Sequence, residues 1–184
     1  MTHLGCKTSY GIDGIISTIA YKGIVKKLLN QFKNPPYLSD LKGILGRIFY
    51  EGLIQEEGFN SFLKNKNIVF VPVPINKTQE RKRGYNQSEL LVQELSKRFN
   101  IKMANMLSRK MEMKPKLELA KKDRGSAIGS EFIVNKKHLE NLKGLKVILV
   151  DDITKTGATL RECARVLKVH GVKKVMGITL TCEG

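Results

Sequence analysis

The sequence predicts an α/β domain with a mostly parallel sheet and helices on both faces. Three observations lead there. Residues 67–74 and 145–150 contain the short, unbroken apolar runs 68–74 and 147–150, rich in branched side chains, the pattern of strands buried on both faces. These runs alternate with stretches of helical period, as strand–helix units of a parallel sheet do. The 184 residues suit one domain with a small appendage. We therefore divide the chain into an N-terminal segment, 1–20, and a domain, 21–184.

Within 1–20 the pattern is weak, with a short strand around Ile15, Ile16, Ile19 and Ala20. From Tyr21 to Phe32 the spacing predicts a helix with Ile24, Leu28 and Phe32 on its stripe, flanked by Val25 and Leu29 and ended by Pro35 and Pro36. Ser39 suits the cap of a second helix, with Asp40 in its first turn. Its stripe is Leu41, Ile44, Leu45, Ile48, Phe49 and Leu53, and Gly58 closes it. These two helices are expected to pack over one end of the sheet.

The first core strand lies in 67–74 and ends at Pro72 and Pro74, which cannot donate to a ladder. Residues 75–87 read as a basic loop with a turn at Gly84. Asn86 or Ser88 can cap the next helix, whose inner stripe is Leu91, Leu95 and Phe99. Residues 101–126 are rich in Lys and Met and irregular. A short strand at 131–134, which suits an edge hairpin, precedes the central strand at 145–150. The helix after Gly157 buries Leu160, Ala164 and Leu167, with Cys163 as a small core residue, and ends at Gly171. Val172 to Thr181 forms the last strand.

Net charge is +16, from 33 basic and 17 acidic residues. Such an excess favours polyanions or phosphorylated ligands, although much of it consists of single lysines that suit a solvated surface. No run of eighteen apolar residues occurs, so no transmembrane helix is expected, and the first residues lack a signal-peptide pattern. Cys6, Cys163 and Cys182 are scattered. They point to free thiols in the cytoplasm rather than to disulfides. A zinc site needs about four ligands; Cys6 with His3 offers two, so no zinc is expected. No protein metal site is expected at all, since His3, His138 and His170 are dispersed.

The most informative stretch is Val147 to Leu160. Asp151 and Asp152 follow the central strand, then come Lys155, Thr156, Gly157, Ala158 and Thr159, opening a helix. Parallel sheets bind ligands at the carboxyl ends of their strands. A turn entering a helix there offers amide N–H groups to a phosphate, and Gly157 permits close approach. The carboxylates would repel that phosphate, so they suit neutral hydroxyls. A sugar phosphate satisfies both halves. No Walker-type pattern occurs in the chain. At the preceding strand end Arg81, Lys82 and Arg83 suit a pyrophosphate or a nucleic-acid backbone. Tyr85 fits either a core aromatic or a base-stacking platform.

An apolar strand, two acidic residues and T-G-x-T resemble the loop of type I phosphoribosyltransferases that binds phosphoribosyl pyrophosphate (PRPP). The run V-P-V-P followed by R-x-R-G-Y-N-Q, met by Arg81, Arg83, Gly84, Tyr85, Asn86 and Gln87, resembles the ComF-type competence proteins of that fold. The resemblance spans about Tyr21 to Thr181 and is strongest over 71–95 and 147–167. It implies a type I phosphoribosyltransferase-like fold, with Asp151 and Asp152 on ribose and Lys155–Thr159 on the 5′-phosphate. It further implies Mg²⁺ carried in with PRPP and a mobile loop whose candidate cations are Arg109, Lys110 and Arg124. Lys155 stands where the family more often has a small residue, and Lys116 where a Gln is expected. The zinc ribbon that begins many ComF-like chains has no counterpart here.

Three functions fit these residues. The first is PRPP and single-stranded DNA binding in DNA uptake for natural transformation, alongside competence or DNA-translocation proteins. The second is a catalytic phosphoribosyltransferase with an unknown acceptor. The third is a non-catalytic PRPP-sensing regulator.

Overall fold

The computed structural model describes residues 11–64, 66–110 and 130–183. Four parallel strands form its sheet: β1 (Gly14–Ala20), β2 (Ile68–Pro72), β5 (Lys146–Thr154) and β6 (Lys174–Cys182). Their spatial order is β1-β6-β5-β2, and every neighbouring pair is parallel. Lys102–Ala104 extends the β2 edge, where Phe70 N donates to Lys102 O and Ala104 N to Phe70 O, each at 2.9 Å. The two short strands β3 (Leu107–Arg109) and β4 (Phe132–Val134) form a separate antiparallel ribbon, the hairpin pairing foreseen for 131–134.

Strand β1 alters the division drawn from sequence. The strand around Ile15–Ala20 is present, and it pairs along β6 from Gly14↔Met176 to Ala20↔Cys182. These residues complete the sheet rather than standing beside the domain. Polar Ser17, Thr18 and Asp13 obscure the pattern, yet each is satisfied: Ser17 Oγ and Thr179 Oγ1 lie 2.6 Å apart, Thr18 Oγ1 donates to Leu180 O at 2.9 Å, and Asp13 Oδ2 accepts from Val175 N at 2.6 Å.

Helices cover both faces. On one lie α1 (Gly23–Lys33), α2 (Lys42–Leu53), α3 (Glu57–Leu63) and α5 (Gln87–Phe99), packed on Phe70, Ile148, Val150, Ile178 and Leu180. On the other lie α6 (Ala158–Val169) and the β3–β4 ribbon, packed on Val69, Val71, Val147, Leu149 and Val175. Successive strand residues face opposite sides, so β5 sends its even-numbered side chains to the α1/α5 face and its odd-numbered ones to the α6 face. A Cβ on Gly46 would stand 2.5 Å from Glu94 Cβ; its absence lets α2 approach α5.

The helical stripes are rotated from expectation. In α1, Val25, Leu29 and Phe32 are buried, while Ile24 is 67% exposed. In α2, Leu45, Phe49 and Leu53 are buried and Ile44 is 54% exposed. Ser39 opens a 3₁₀ turn, Ser39–Leu41, and the residue capping α2 is Leu41 rather than Ser39. Gly58 does not close α2, which stops at Leu53; it lies inside the separate helix α3. The expected loop at 75–87 contains α4 (Lys77–Arg83). Asn76 caps it, its Oδ1 accepting from Thr78 N at 2.8 Å. Arg81, Lys82 and Arg83 occupy its last turn, where cations complement the helix dipole. Gly84, at φ +79°, ends it. Helix α6 buries Leu160, Cys163, Ala164 and Leu167 as its spacing predicts.

Candidate sugar-phosphate site

β5 does not stop at Val150. It continues through Asp151 and Asp152 to Thr154 because β6 runs alongside, with Asp151↔Thr179 and Thr154↔Cys182. The two carboxylates therefore sit on consecutive strand positions and point to opposite faces.

Asp151 lies on the α6 side and is partly buried. Ser88 Oγ, in the first turn of α5, donates to its Oδ1 at 2.8 Å, and the amide of Asp152 donates to the same oxygen at 2.9 Å. Burial pushes the Asp151 carboxyl up to about 7, and the negative charge of Asp152 adds to this; the Ser88 hydroxyl, the Lys33 ammonium and the Asp152 amide oppose it. Asp151 is thus a carboxylate near its ionisation point, with Oδ2 left to accept from a ligand hydroxyl.

Asp152 is placed differently. It is 1% exposed and faces α1 and α5. Lys33 Nζ lies 2.6 Å from its Oδ2, and Gln87 Nε2 lies 3.5 Å from its Oδ1. The ribose role read for both acids falls on side chains in unlike surroundings. Asp151 reaches the sheet edge; Asp152 is turned inward and paired.

The phosphate loop follows β5. Gly157, at φ +72°, precedes α6, in a backbone region that L side chains rarely adopt. A Cβ there would stand 2.7 Å from Ile15 Cδ1, so β1 packs directly against the loop. Thr154 Oγ1 accepts from Gly157 N at 2.9 Å, and Thr156 Oγ1 from Ala158 N at 3.3 Å. Arg161 Nη2 donates to Thr156 O and braces the turn. Lys155, Thr156, Ala158 and Thr159 are exposed, and the amides opening α6 have no carbonyl one turn earlier within the helix. An anion can meet backbone donors here without displacing a core contact.

The R-G-Y-N-Q run proves to be a clamp. Asn86 caps α5, its Oδ1 accepting from Ser88 N at 3.0 Å while its Nδ2 donates to Val73 O at 3.1 Å. Gln87 receives Arg83 Nη1 at 2.7 Å and faces Asp152. Tyr85 donates to Phe32 O at 2.6 Å, its ring 5.5 Å from that of Phe32. Of the two roles open to Tyr85, the core aromatic is visible in the structure: hydroxyl and ring both meet α1, and the side chain is partly buried. Arg81 and Lys82 are exposed, and Arg83 is partly buried. The clamp thus draws α1, β2 and α5 to the carboxyl edge of β5. Lys33, Gln87 and Ser88 are site residues that sequence reading did not assign.

Among the mobile-loop candidates, Arg109 pairs with Glu131 at 2.7 Å and lies over the Phe132 ring, 5.7 Å from its centroid. Lys110 N donates to Glu131 O at 2.7 Å. Arg124 and Lys116 lie outside the described residues, as do His3 and Cys6. Among the described residues no group of three or more His, Cys, Asp or Glu is placed to hold a metal ion, and none of the helices is long and apolar enough to cross a membrane. With Asp152 paired to Lys33, Asp151 Oδ2 is the oxygen of the two acids still open to a ligand.

A sheet-edge acid and a glycine turn opening α6 lie at the carboxyl end of one strand, an arrangement that suits a sugar phosphate. Residues 85–183 match the family model for the phosphoribosyl transferase domain, more than half of the chain, and the chain belongs to that family. Within that family the chain is similar to proteins named competence proteins. It is 33% identical over 113 residues to competence protein ComFC of Bacillus subtilis (strain 168), covering 61% of this chain and 43% of that protein. It is also 33% identical over 106 residues to competence protein F of Haemophilus influenzae, covering 57% of this chain and 46% of that one. The matched region spans less than half the length of either relative. Among solved structures, the allosteric regulatory enzyme of purine biosynthesis shares the fold, with a TM-score of 0.54 at 14% identity over 77% of this chain and 26% of that one.

Proposed function

We propose that the protein binds PRPP and acts with single-stranded DNA in DNA uptake for natural transformation, as a cytoplasmic partner of competence or DNA-translocation proteins. The observation that carries the PRPP half is the juxtaposition of Asp151, with one carboxylate oxygen committed to Ser88, and the Gly157 turn at the mouth of α6. Asp151 accepts from a ribose hydroxyl, and the loop amides with Thr156 and Thr159 take the 5′-phosphate. Mg²⁺ travels on the pyrophosphate oxygens as part of the substrate. The DNA half is supported by Arg81 and Lys82 exposed on α4, by the net charge of +16 and by relatives named competence proteins.

A salt titration of binding to labelled single-stranded oligonucleotides tests the DNA half. Affinity that falls steeply and linearly on a log–log scale fits phosphate contacts; no binding at low salt would refute it. The family match favours a second reading, transfer of ribose 5-phosphate to an acceptor. A bond from the acceptor to ribose C1 would form as the C1–oxygen bond to pyrophosphate breaks, with developing charge met by basic side chains. Acceptor-dependent pyrophosphate release distinguishes this enzyme from a PRPP-sensing regulator, which would bind without releasing it.

A further inference from the structure

Helix α1 crosses the carboxyl edge of the sheet. It begins at Gly23, shortly after β1 ends at Ala20, and its last residue, Lys33, reaches Asp152 on β5 at 2.6 Å. Strand β6 lies between β1 and β5, so the helix passes over the same edge as the Gly157 turn. It lies outside residues 85–183, which match the family model.

The inner face of α1 is Val25, Leu29 and Phe32. Residues separated by one or two whole turns share a flank of a helix. Lys26 therefore stands on the flank of Lys33, with Lys22 one turn before it. That flank looks over the sheet edge, because Lys33 does. Lys22, Lys26 and Lys27 are exposed. The Lys26 ammonium lies over the Tyr21 ring, 5.4 Å from its centroid, and Tyr21 Oη donates to Asn30 Oδ1 at 2.8 Å. These contacts keep Lys26 on that flank.

The strand ends place another cation opposite. Tyr21 N donates to Cys182 O at 3.1 Å, and Glu183 N to Thr154 O at 2.9 Å. Tyr21 and Thr154 thus stand on either side of the end of β6, about 10 Å apart at ordinary strand spacing. Lys22 follows the one and Lys155 the other, and both are exposed. Glu183, between them, offsets one of these charges. Among the described residues, no acid forms an ion pair with Lys22, Lys26, Lys27 or Lys155. Arg81 and Lys82 stand at the other end of the edge, on the helix that follows β2. Cations spread along an edge in this way suit successive phosphates of a chain better than one small anion.

We propose that Lys22 and Lys26 are phosphate contacts for a single strand that runs along the β1–β6–β5 edge, past the Gly157 turn. The inference rests on the DNA reading above and assigns the strand a second surface besides α4.

The test uses the full chain, a labelled single-stranded oligonucleotide and three double variants. Lys22→Gln/Lys26→Gln removes the two contacts. Lys22→Arg/Lys26→Arg keeps their charge. Lys173→Gln/Lys174→Gln removes the same charge from exposed positions at the amino end of β6, roughly 30 Å away along nine strand residues. The magnitude of the log–log salt slope should fall by about 1.4 in the first variant, at about 0.7 per phosphate contact. It should keep its unaltered value in the other two. If the unaltered protein binds the oligonucleotide and the first variant keeps its slope, this inference alone is overturned and the strand lies elsewhere. An equal fall in the Lys173/Lys174 variant would also overturn it, because net charge and not contact would then set the slope. A fall in the arginine variant as large as in the glutamine one would overturn it as well. If the unaltered protein binds no oligonucleotide at low salt, the DNA reading falls and takes this inference with it.

Discussion

Replacing Asp151 by Asn should stabilise the ligand-free protein at alkaline pH while weakening the site. The carboxyl stands at about 7 in the folded chain against an ordinary 3.8. Because the folded value is raised, this group's contribution to stability is complete below pH 3.8 and is lost as pH rises through about 7. Moving a carboxyl that far corresponds to about 4 kcal/mol; Asp151 keeps partial contact with water, which reduces the figure to about 3 kcal/mol. For a chain of this size that is about 6–12 °C in melting temperature. Asn keeps a carbonyl oxygen for Ser88 and for the Asp152 amide, so geometry is preserved. The assay is thermal melting of both proteins from pH 5 to pH 8.5. The variant should gain on the wild type from pH 5 to about pH 7 and hold a constant, largest advantage above pH 7.5. A difference that stays constant with pH, or a variant that melts lower at pH 8, would refute the assignment of Asp151 as a carboxyl strained by its surroundings.

Other residues give independent checks. Gly157→Ala should cost about 1–3 kcal/mol, because it forces a side chain into the left-handed region and against Ile15, and a phosphate-containing ligand should bind it more weakly than the wild type; equal melting and equal binding would remove the glycine argument. Neutralising Arg81 and Lys82 to Gln should lower the magnitude of the log–log salt slope for single-stranded DNA by about 1.4, at about 0.7 per phosphate contact; an unchanged slope would move the DNA surface off α4. Tyr85→Phe should lose about 1 kcal/mol with the Phe32 hydrogen bond and leave oligonucleotide affinity intact, whereas a Tyr85→Leu variant that folds normally yet loses DNA would restore the stacking role.

Much of the site was legible in the chain because its parts are local. Asp151, Gly157 and the Thr-rich turn are contiguous, and a strand followed by a glycine turn and a helix has few other uses. The helical stripes were found with an error of one position at Ile24 and Ile44, since periodicity gives a face but tertiary packing sets its rotation. Helix α4 escaped because its seven residues, Lys77–Arg83, carry no apolar stripe; its evidence was a capping Asn and a closing Gly, which also read as turn residues. β1 was set apart because its polar side chains find partners only across the sheet. Lys33 was one of 33 basic residues and far from the acids in sequence, so nothing local marked it. The opposite orientations of Asp151 and Asp152 followed from strand period once β5 was seen to continue past Val150, a boundary set by pairing with β6 rather than by composition.

The central claim is that this sheet edge recognises ribose and phosphate together. Calorimetric titration of the protein with Mg²⁺-PRPP, beside ribose 5-phosphate and pyrophosphate, tests it most directly. Tightest binding of PRPP, weaker binding of ribose 5-phosphate and loss of both in Asp151→Ala is the predicted result. Binding of pyrophosphate alone, with ribose 5-phosphate ignored and Asp151→Ala unaffected, would contradict it and leave only a general polyanion surface.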